Sequence, residues 1–159
     1  MSVIQHNIPA VFDENSRILI LGSFPSVKSR EGEFFYHHPQ NRFWKVLAAV
    51  FGDDIPKSIE DKKSFLRKHN IALWDVIKRC ELTGSDDSSI RNAEINELDI
   101  IFENCNIENI YVNGGKAYEL YMKYCLPKYG LNAVKLPSTS PANASFSLEK
   151  LIEKWSAIR

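Results

Sequence analysis

Cysteine is scarce in this chain. Its 159 residues include three, Cys80, Cys105 and Cys125, widely spaced and with no CxxC pair. That pattern argues against a disulfide framework and offers no zinc-ribbon spacing, so reduced, buried thiols are expected. Long apolar runs are missing too. Nothing approaches the roughly 20 residues of a membrane span. The opening MSVIQHNIPAVFDENS has neither the basic nor the apolar region of a secretory signal. The expectation is a cytoplasmic protein with no membrane partner. Net charge is zero, 20 basic residues against 20 acidic. This argues against a protein held on nucleic acid by a global basic field, while leaving room for a local basic face. Lys28, Arg30, Arg42 and Lys45 flank one long loop, and a solvated rim is their simplest reading.

Several chemical signatures are also absent. His37 and His38 are adjacent and cannot share one face, while His6 and His69 lie elsewhere. With no carboxylate-histidine cluster at ligand spacing, no metal is expected. The loop serines Ser23, Ser26, Ser138 and Ser140 sit in no G-x-S-x-G. Gly114-Gly115-Lys116 lacks the spacing of a phosphate loop and reads as a tight turn into a helix. No repeat, low-complexity tract or linker interrupts the chain, so a single domain over residues 1–159 is expected.

What is present is an alternation of strands and helices. Arg17-Ile18-Leu19-Ile20-Leu21 reads as a buried strand, continuing to Gly22. A helix follows over 42–51, stopped by Gly52, and a second runs from an N-cap at Ser58 to about Lys68. Residues 71–77 form an apolar run, either a short strand or a buried turn. TGSDDSS, 83–89, reads as a polar loop. Ile95, Leu98, Ile101 and Phe102 predict a helix over 93–103. A strand over 109–113 turns at Gly114-Gly115 into a helix over 116–125. A third strand, 133–136, leads into the irregular PSTSPANA loop. Ser145 then caps a final helix with Leu148, Leu151, Ile152, Trp155 and Ile158 on its apolar face. Such an order implies parallel pairing and right-handed crossovers. The expected fold is α/β, a three-layer α/β/α sandwich with a small, mainly parallel central sheet.

Three strand ends then open on one edge, at Gly22-Ser23-Phe24-Pro25, at Asn113-Gly114-Gly115 and at Leu136-Pro137-Ser138. Ligands bind at such carboxyl edges. The segment from Gly22 to Lys45, GSFPSVKSREGEFFYHHPQNRFWK, is the longest connection in the chain. Loops longer than about 12–15 residues are usually functional. Its aromatics Phe24, Phe34, Phe35 and Tyr36 offer a stacking face or ordinary core packing. Asn41 reads as an N-cap or as a ligand-facing amide, and the two are compatible, since a capping oxygen leaves the NH2 group free. Asn113 reads either as a residue tolerating a left-handed turn or as a second such amide.

Gly22-x-x-Pro25, the aromatic run, His38-Pro39-Gln40-Asn41-Arg42-Phe43-Trp44-Lys45 and Leu136-Pro137-Ser138-Thr139-Ser140 together resemble the uracil-DNA glycosylase superfamily. The likeness runs from Ile18 to about Trp155. Phe24 stands where mismatch-specific members carry a water-positioning Asn, and Leu136 where many members open the second motif with His. With Asn41, Asn113 and LPSTSPAN, the chain is most similar to the hypoxanthine-DNA glycosylase branch. That resemblance implies a monofunctional DNA repair enzyme without a cofactor. It would hydrolyse the N-glycosidic bond of a flipped deaminated base in double-stranded DNA, hypoxanthine by preference, and leave an abasic site. Asn41 and Asn113 would be catalytic. Gly22, Ser23, Phe24, Pro25, Tyr36 and His38 would form the base pocket, with Tyr36 stacking on the base. Ser138, Thr139, Ser140, Pro141, Ala142 and Asn143 would meet the DNA, the first two at phosphates and PAN as a minor-groove wedge. A monomer is expected. A mismatch-specific uracil/thymine glycosylase and an inactive nucleic-acid binder remain alternatives, and the roles of Asp75 and Asp87 stay open.

Overall fold

A computed structural model describes residues 2–5, 8–25, 27–32, 34–82 and 90–159. Its strands and helices, in chain order, are β1 (Ser2–Gln5), β2 (Ile18–Gly22), α1 (Val27–Gly32), α2 (Phe43–Phe51), α3 (Ile59–Lys68), β3 (Ile71–Asp75) and β4 (Ile77–Leu82). There follow β5 (Arg91–Ile95), α4 (Asp99–Phe102), β6 (Asn109–Asn113), α5 (Gly115–Leu120), α6 (Leu126–Tyr129), β7 (Val134–Leu136) and α7 (Leu148–Trp155). A π-helical turn, Tyr121–Cys125, joins α5 to α6.

The centre is a parallel four-stranded sheet in the order β3-β2-β6-β7. Leu19, Ile20 and Leu21 of β2 are wholly buried, as expected for a parallel strand covered on both faces. The chain leaves β2 toward β3 on one side, and later leaves β6 toward β7 on the other. Right-handed crossovers in opposite directions place their helices on opposite faces of a sheet. α3 accordingly packs on β3, α5 on β6 and β7, and α7 returns to lie on α2. Phe43 of α2 meets Trp155 of α7 edge-on at 5.8 Å, both rings inaccessible to solvent. This is the expected three-layer α/β arrangement. The reversal of direction beside β2 makes its carboxyl end a topological switch point.

The helix ends follow local chemistry. Ser58 accepts from the Asp61 N–H at 3.0 Å while the Ser58 N–H meets the Asp61 carboxylate, a complete capping box at the start of α3. Gly52 ends α2 in the left-handed conformation, φ 64°. The last helix is capped by Ser147, not Ser145, and starts at Leu148.

A second, antiparallel sheet, β1-β4-β5, was not anticipated. Its strands are short and mostly polar, and β5 exposes Arg91, Asn92 and Glu94, so period-2 burial leaves little trace in the sequence. The helix expected over 93–103 is corrected accordingly. Ala93 and Ile95 lie in β5, and only Asp99–Phe102 is helical. The chain turns at Asn96, whose side-chain NH2 donates to the Asp75 carbonyl at 2.9 Å and whose N–H donates to the Val76 carbonyl. An amide that satisfies backbone groups elsewhere competes with helix formation. The apolar run 71–77 resolves as β3 followed directly by β4. The loop 83–89, with Asp87, lies outside the described residues, as do His6 and Ser26.

Candidate active site

The carboxyl ends of the parallel strands surround a cavity of about 810 Å³. Gly22, Ser23, Phe24 and Pro25 line it from β2, and Asn113 from the end of β6. Tyr36 and Asn41 come from the first long loop, and Leu136, Pro137, Ser138, Thr139, Ser140, Ala142 and Asn143 from β7 and the second.

Thr139 organises the two amides. Its N–H donates to Asn113 Oδ1 at 3.1 Å, and Asn113 Nδ2 donates to Thr139 Oγ1 at 3.0 Å. Thr139 Oγ1 in turn donates to Asn41 Oδ1 at 2.8 Å. Asn41 Oδ1 also accepts the Phe43 N–H at 2.9 Å, so Asn41 does tether the start of α2. Backbone N–H groups only donate, which fixes both amide orientations. The Thr139 hydroxyl has one proton and Asn41 Oδ1 takes it. Asn41 Nδ2 is left without a hydrogen bond among the described residues, on a side chain that borders the cavity. The N-cap reading of Asn41 is corrected: Arg42 holds that position, while the Asn41 oxygen takes the first helical N–H from one residue earlier and its NH2 borders the cavity. Asn113 ends its strand without a left-handed backbone. Gly114 makes that turn, at φ +99°, and a Cβ there would stand 3.1 Å from Ser138 Cβ.

Arg42 holds the second loop in place. Its guanidinium donates to the carbonyls of Ser140 and Asn143, each at 3.1 Å, and to that of Phe146. Its N–H donates to the Thr139 carbonyl at 3.1 Å. Trp155 Nε1 donates to the Pro137 carbonyl at 2.9 Å. Within the loop, Ser138 Oγ accepts the Ser140 N–H and Ser140 Oγ accepts the Ala142 N–H, two successive serine turns.

Aromatic packing frames the other wall. Tyr36 lies against Phe43 with ring centroids 3.9 Å apart and planes at 20°. It does so from a left-handed backbone, φ 52°, a conformation a bulky residue holds only where its surroundings enforce it. Phe34 and Phe35 are buried core residues; Phe34 stacks on Trp44, whose Nε1 donates to the Phe35 carbonyl at 3.3 Å. Phe24 is 8% exposed, borders the cavity and carries the Arg30 guanidinium 5.4 Å from its ring centre.

Three expectations are corrected by these placements. His38 is not among the lining residues; its Nδ1 accepts the Gln40 N–H at 3.0 Å and closes a turn. Thr139 is 0% exposed with its hydroxyl committed between the amides, so it offers no surface to a phosphate. Arg42 is no rim charge, because its guanidinium serves backbone carbonyls. Pro141 is exposed beside the cavity without lining it.

The cavity also has members that the motifs did not reveal. Lys135 and Lys154, both exposed, stand on its border, and Ser29 and Phe146 line it. Asp75 lines it as well, only 3% exposed. Its role stayed open in the sequence because the run 71–77 fits either a short strand or a buried turn. As β3, that run has its end in register with Gly22 and becomes a fourth strand end at the same edge. Among the described residues, no three His, Cys, Asp or Glu side chains converge as a metal site would need.

A family model for the Uracil DNA glycosylase superfamily matches residues 9–159. The chain belongs to this superfamily. It is similar to a protein of Methanosarcina acetivorans named hypoxanthine DNA glycosylase, 39% identical over 158 residues and 98% of each chain. A Methanosarcina barkeri protein of the same name is 34% identical over 141 residues, 87% of this chain and 88% of that one. The fold matches the solution NMR structure of a candidate uracil DNA glycosylase from Methanosarcina acetivorans. The TM-score is 0.80, with 36% identity, across 99% of this chain and 96% of that chain. As in other members of the superfamily, the chemistry is hydrolysis of an N-glycosyl bond. No helix is long and apolar enough to cross a membrane among the described residues.

Proposed function

We propose that the protein is a monofunctional DNA glycosylase that releases hypoxanthine from deoxyinosine in duplex DNA and leaves an abasic site. The observation that carries this reading is the oriented pair of amides, Asn41 and Asn113, locked through Thr139 in the wall of the switch-point cavity. The likeness to proteins named hypoxanthine DNA glycosylase supports the choice of base.

The damaged nucleotide must leave the helix stack, at a cost of a few kcal/mol that mispairing lowers. The base then enters the cavity and stacks on Tyr36, whose ring is already fixed by Phe43 behind it. Bond cleavage gives the sugar oxocarbenium character, and negative charge gathers on the departing base. Asn41 Nδ2, a fixed donor, stabilises that charge as an oxyanion-hole donor does. Asn113 keeps one N–H and one lone pair beyond its bonds to Thr139, enough to orient the attacking water. Lys135 and Lys154 take phosphates on the border of the cavity. Ser138 and Ser140 hold the loop that presents Pro141, Ala142 and Asn143 to the minor groove. One copy acts on one lesion.

The test is alkaline strand scission after incubation with duplexes holding inosine, uracil or a G·T pair. Release from inosine is expected, and both Asn41→Ala and Asn113→Ala should lose at least about 100-fold in single-turnover rate, as removal of an oxyanion-hole donor does. Release from uracil alone would favour the mismatch-specific reading, and release from none would leave a binding protein. Full activity in both folded variants would defeat the assignment of the amides.

A further inference from the structure

We infer that Tyr118 is a seat for Lys135, an aromatic face that holds the lysine ammonium ready for a phosphate at the border of the cavity. The inference rests on the glycosylase reading above, in which Lys135 meets DNA, and adds a positioning residue to the same site.

Position comes first. Gly114 turns the chain out of β6, and the Tyr118 N–H donates to the Gly114 carbonyl at 3.1 Å, so Tyr118 stands one turn into α5. α5 packs on β7. Lys135 is the middle residue of β7, between exposed Val134 and buried Leu136. Successive side chains of a strand point to opposite faces, and Lys135 takes the face toward α5. Its Nζ lies 5.7 Å from the centre of the Tyr118 ring, within reach of a cation–π contact. The ring is partly buried and packed against the core, whereas Lys135 is exposed and borders the cavity. One partner is thus fixed, and the other is open to a ligand.

The chemistry of the seat suits a phosphate ligand. A lysine that grips a phosphate loses rotamer freedom, and ordering it beforehand removes part of that loss. A carboxylate could order the side chain too, but it would cancel the charge that the phosphate needs. An aromatic face attracts the ammonium through its quadrupole and leaves the formal charge whole. N–H groups turned away from the ring stay available to phosphate oxygens. The two arrangements occur side by side on α5. Lys116 Nζ lies 3.6 Å from Glu119 Oε1, whereas Lys135 makes no ion pair among the described residues. Lys154, the second cation on the border, has no ring beneath it among the described residues. It therefore serves as the internal comparison.

The experiment is a double-mutant cycle read by equilibrium binding to an inosine duplex with a 2′-fluorinated, hydrolysis-resistant sugar, across a series of salt concentrations. Tyr118→Leu, Tyr118→Phe, Lys135→Ala and Lys154→Ala are measured, with Tyr118→Leu also combined with each lysine variant, and every fold is checked by circular dichroism. Tyr118→Leu should weaken binding about 2- to 5-fold, the range of an exposed cation–π contact, and leave the salt slope unchanged because the charge remains. Lys135→Ala should lower that slope by about one phosphate contact. In the Lys135→Ala background Tyr118→Leu should change affinity by less than about 1.5-fold, the non-additivity of two residues in contact. In the Lys154→Ala background its full effect should persist. Tyr118→Phe keeps the aromatic face and should bind as the unchanged protein does. Equal losses from Tyr118→Leu with and without Lys135 would overturn the inference, because a merely structural tyrosine gives that result. So would a loss in Tyr118→Phe as large as in Tyr118→Leu. If Lys135→Ala alters neither affinity nor slope, Lys135 meets no phosphate, and that part of the reading above falls with the inference; if it alters both and the cycle is additive, only the seat falls.

Discussion

One hydroxyl proton decides the polarity of the site. Because Thr139 receives from Asn113 and gives to Asn41, replacing it by valine removes a donor and an acceptor at once. Thr139→Val leaves two amides with unmet groups and should cost about 1–3 kcal/mol of stability together with most of the activity. Thr139→Ser should restore both, and thermal melts beside single-turnover excision distinguish the two. Gly22→Ala should be as damaging to excision, since its methyl group meets a buried carboxylate and a tyrosine ring held by Phe43. At this scale the sequence was partly legible. Asn41 and Asn113 stand at a helix start and a strand end, where residue type left a cap or a turn equally open and the family resemblance singled them out. Thr139 was misread as a phosphate contact because its partners lie 98 and 26 residues away, beyond any local pattern. His38 was misread for the opposite reason: its partner is two residues away, in a turn that its neighbours conceal.

The elements carry their own signals unevenly. The helices α2 and α3 were legible from apolar spacing, Gly52 and the serine cap, and Ser58→Ala should lower stability by about 1 kcal/mol. The ends of these two helices are also tied by charge. Lys68 first, then His69, holds the Asp53 carboxyl down from the usual 3.8 to about 2. A depressed carboxylate stabilises the fold above its unfolded value and ceases to as pH falls toward its folded one. Asp53→Asn should therefore melt lower than the unchanged protein at neutral pH. The difference should fade between about pH 4 and pH 2 in a series of thermal melts. Arg42 has a larger part, because its three carbonyl partners span the second loop. Arg42→Ala should speed amide exchange at Ala142 and Asn143 and slow excision while leaving the sheet intact. Arg42→Lys should rescue little, since an ammonium cannot reproduce the planar fork.

For the whole molecule, β2, β6 and β7 of the parallel sheet were legible while β3 stayed open between strand and turn, and the antiparallel sheet was hidden by its short, polar strands. Neutral overall charge leaves DNA attraction to local groups, for which the proposed reading names Lys135 and Lys154. The slope of log binding constant against log salt should be shallow, and each lysine replaced by alanine should reduce it by about one phosphate contact. The chain order of the site has one more consequence. β2 and the first loop are made early, but the loop bearing Thr139 is fastened from behind by Trp155. During synthesis all four strands of the parallel sheet are made before this fastening. A ribosome-bound chain that has not released its last helix should thus be inert toward DNA. Trp155, which follows every other part of the site in the chain, supplies the last of these fastenings.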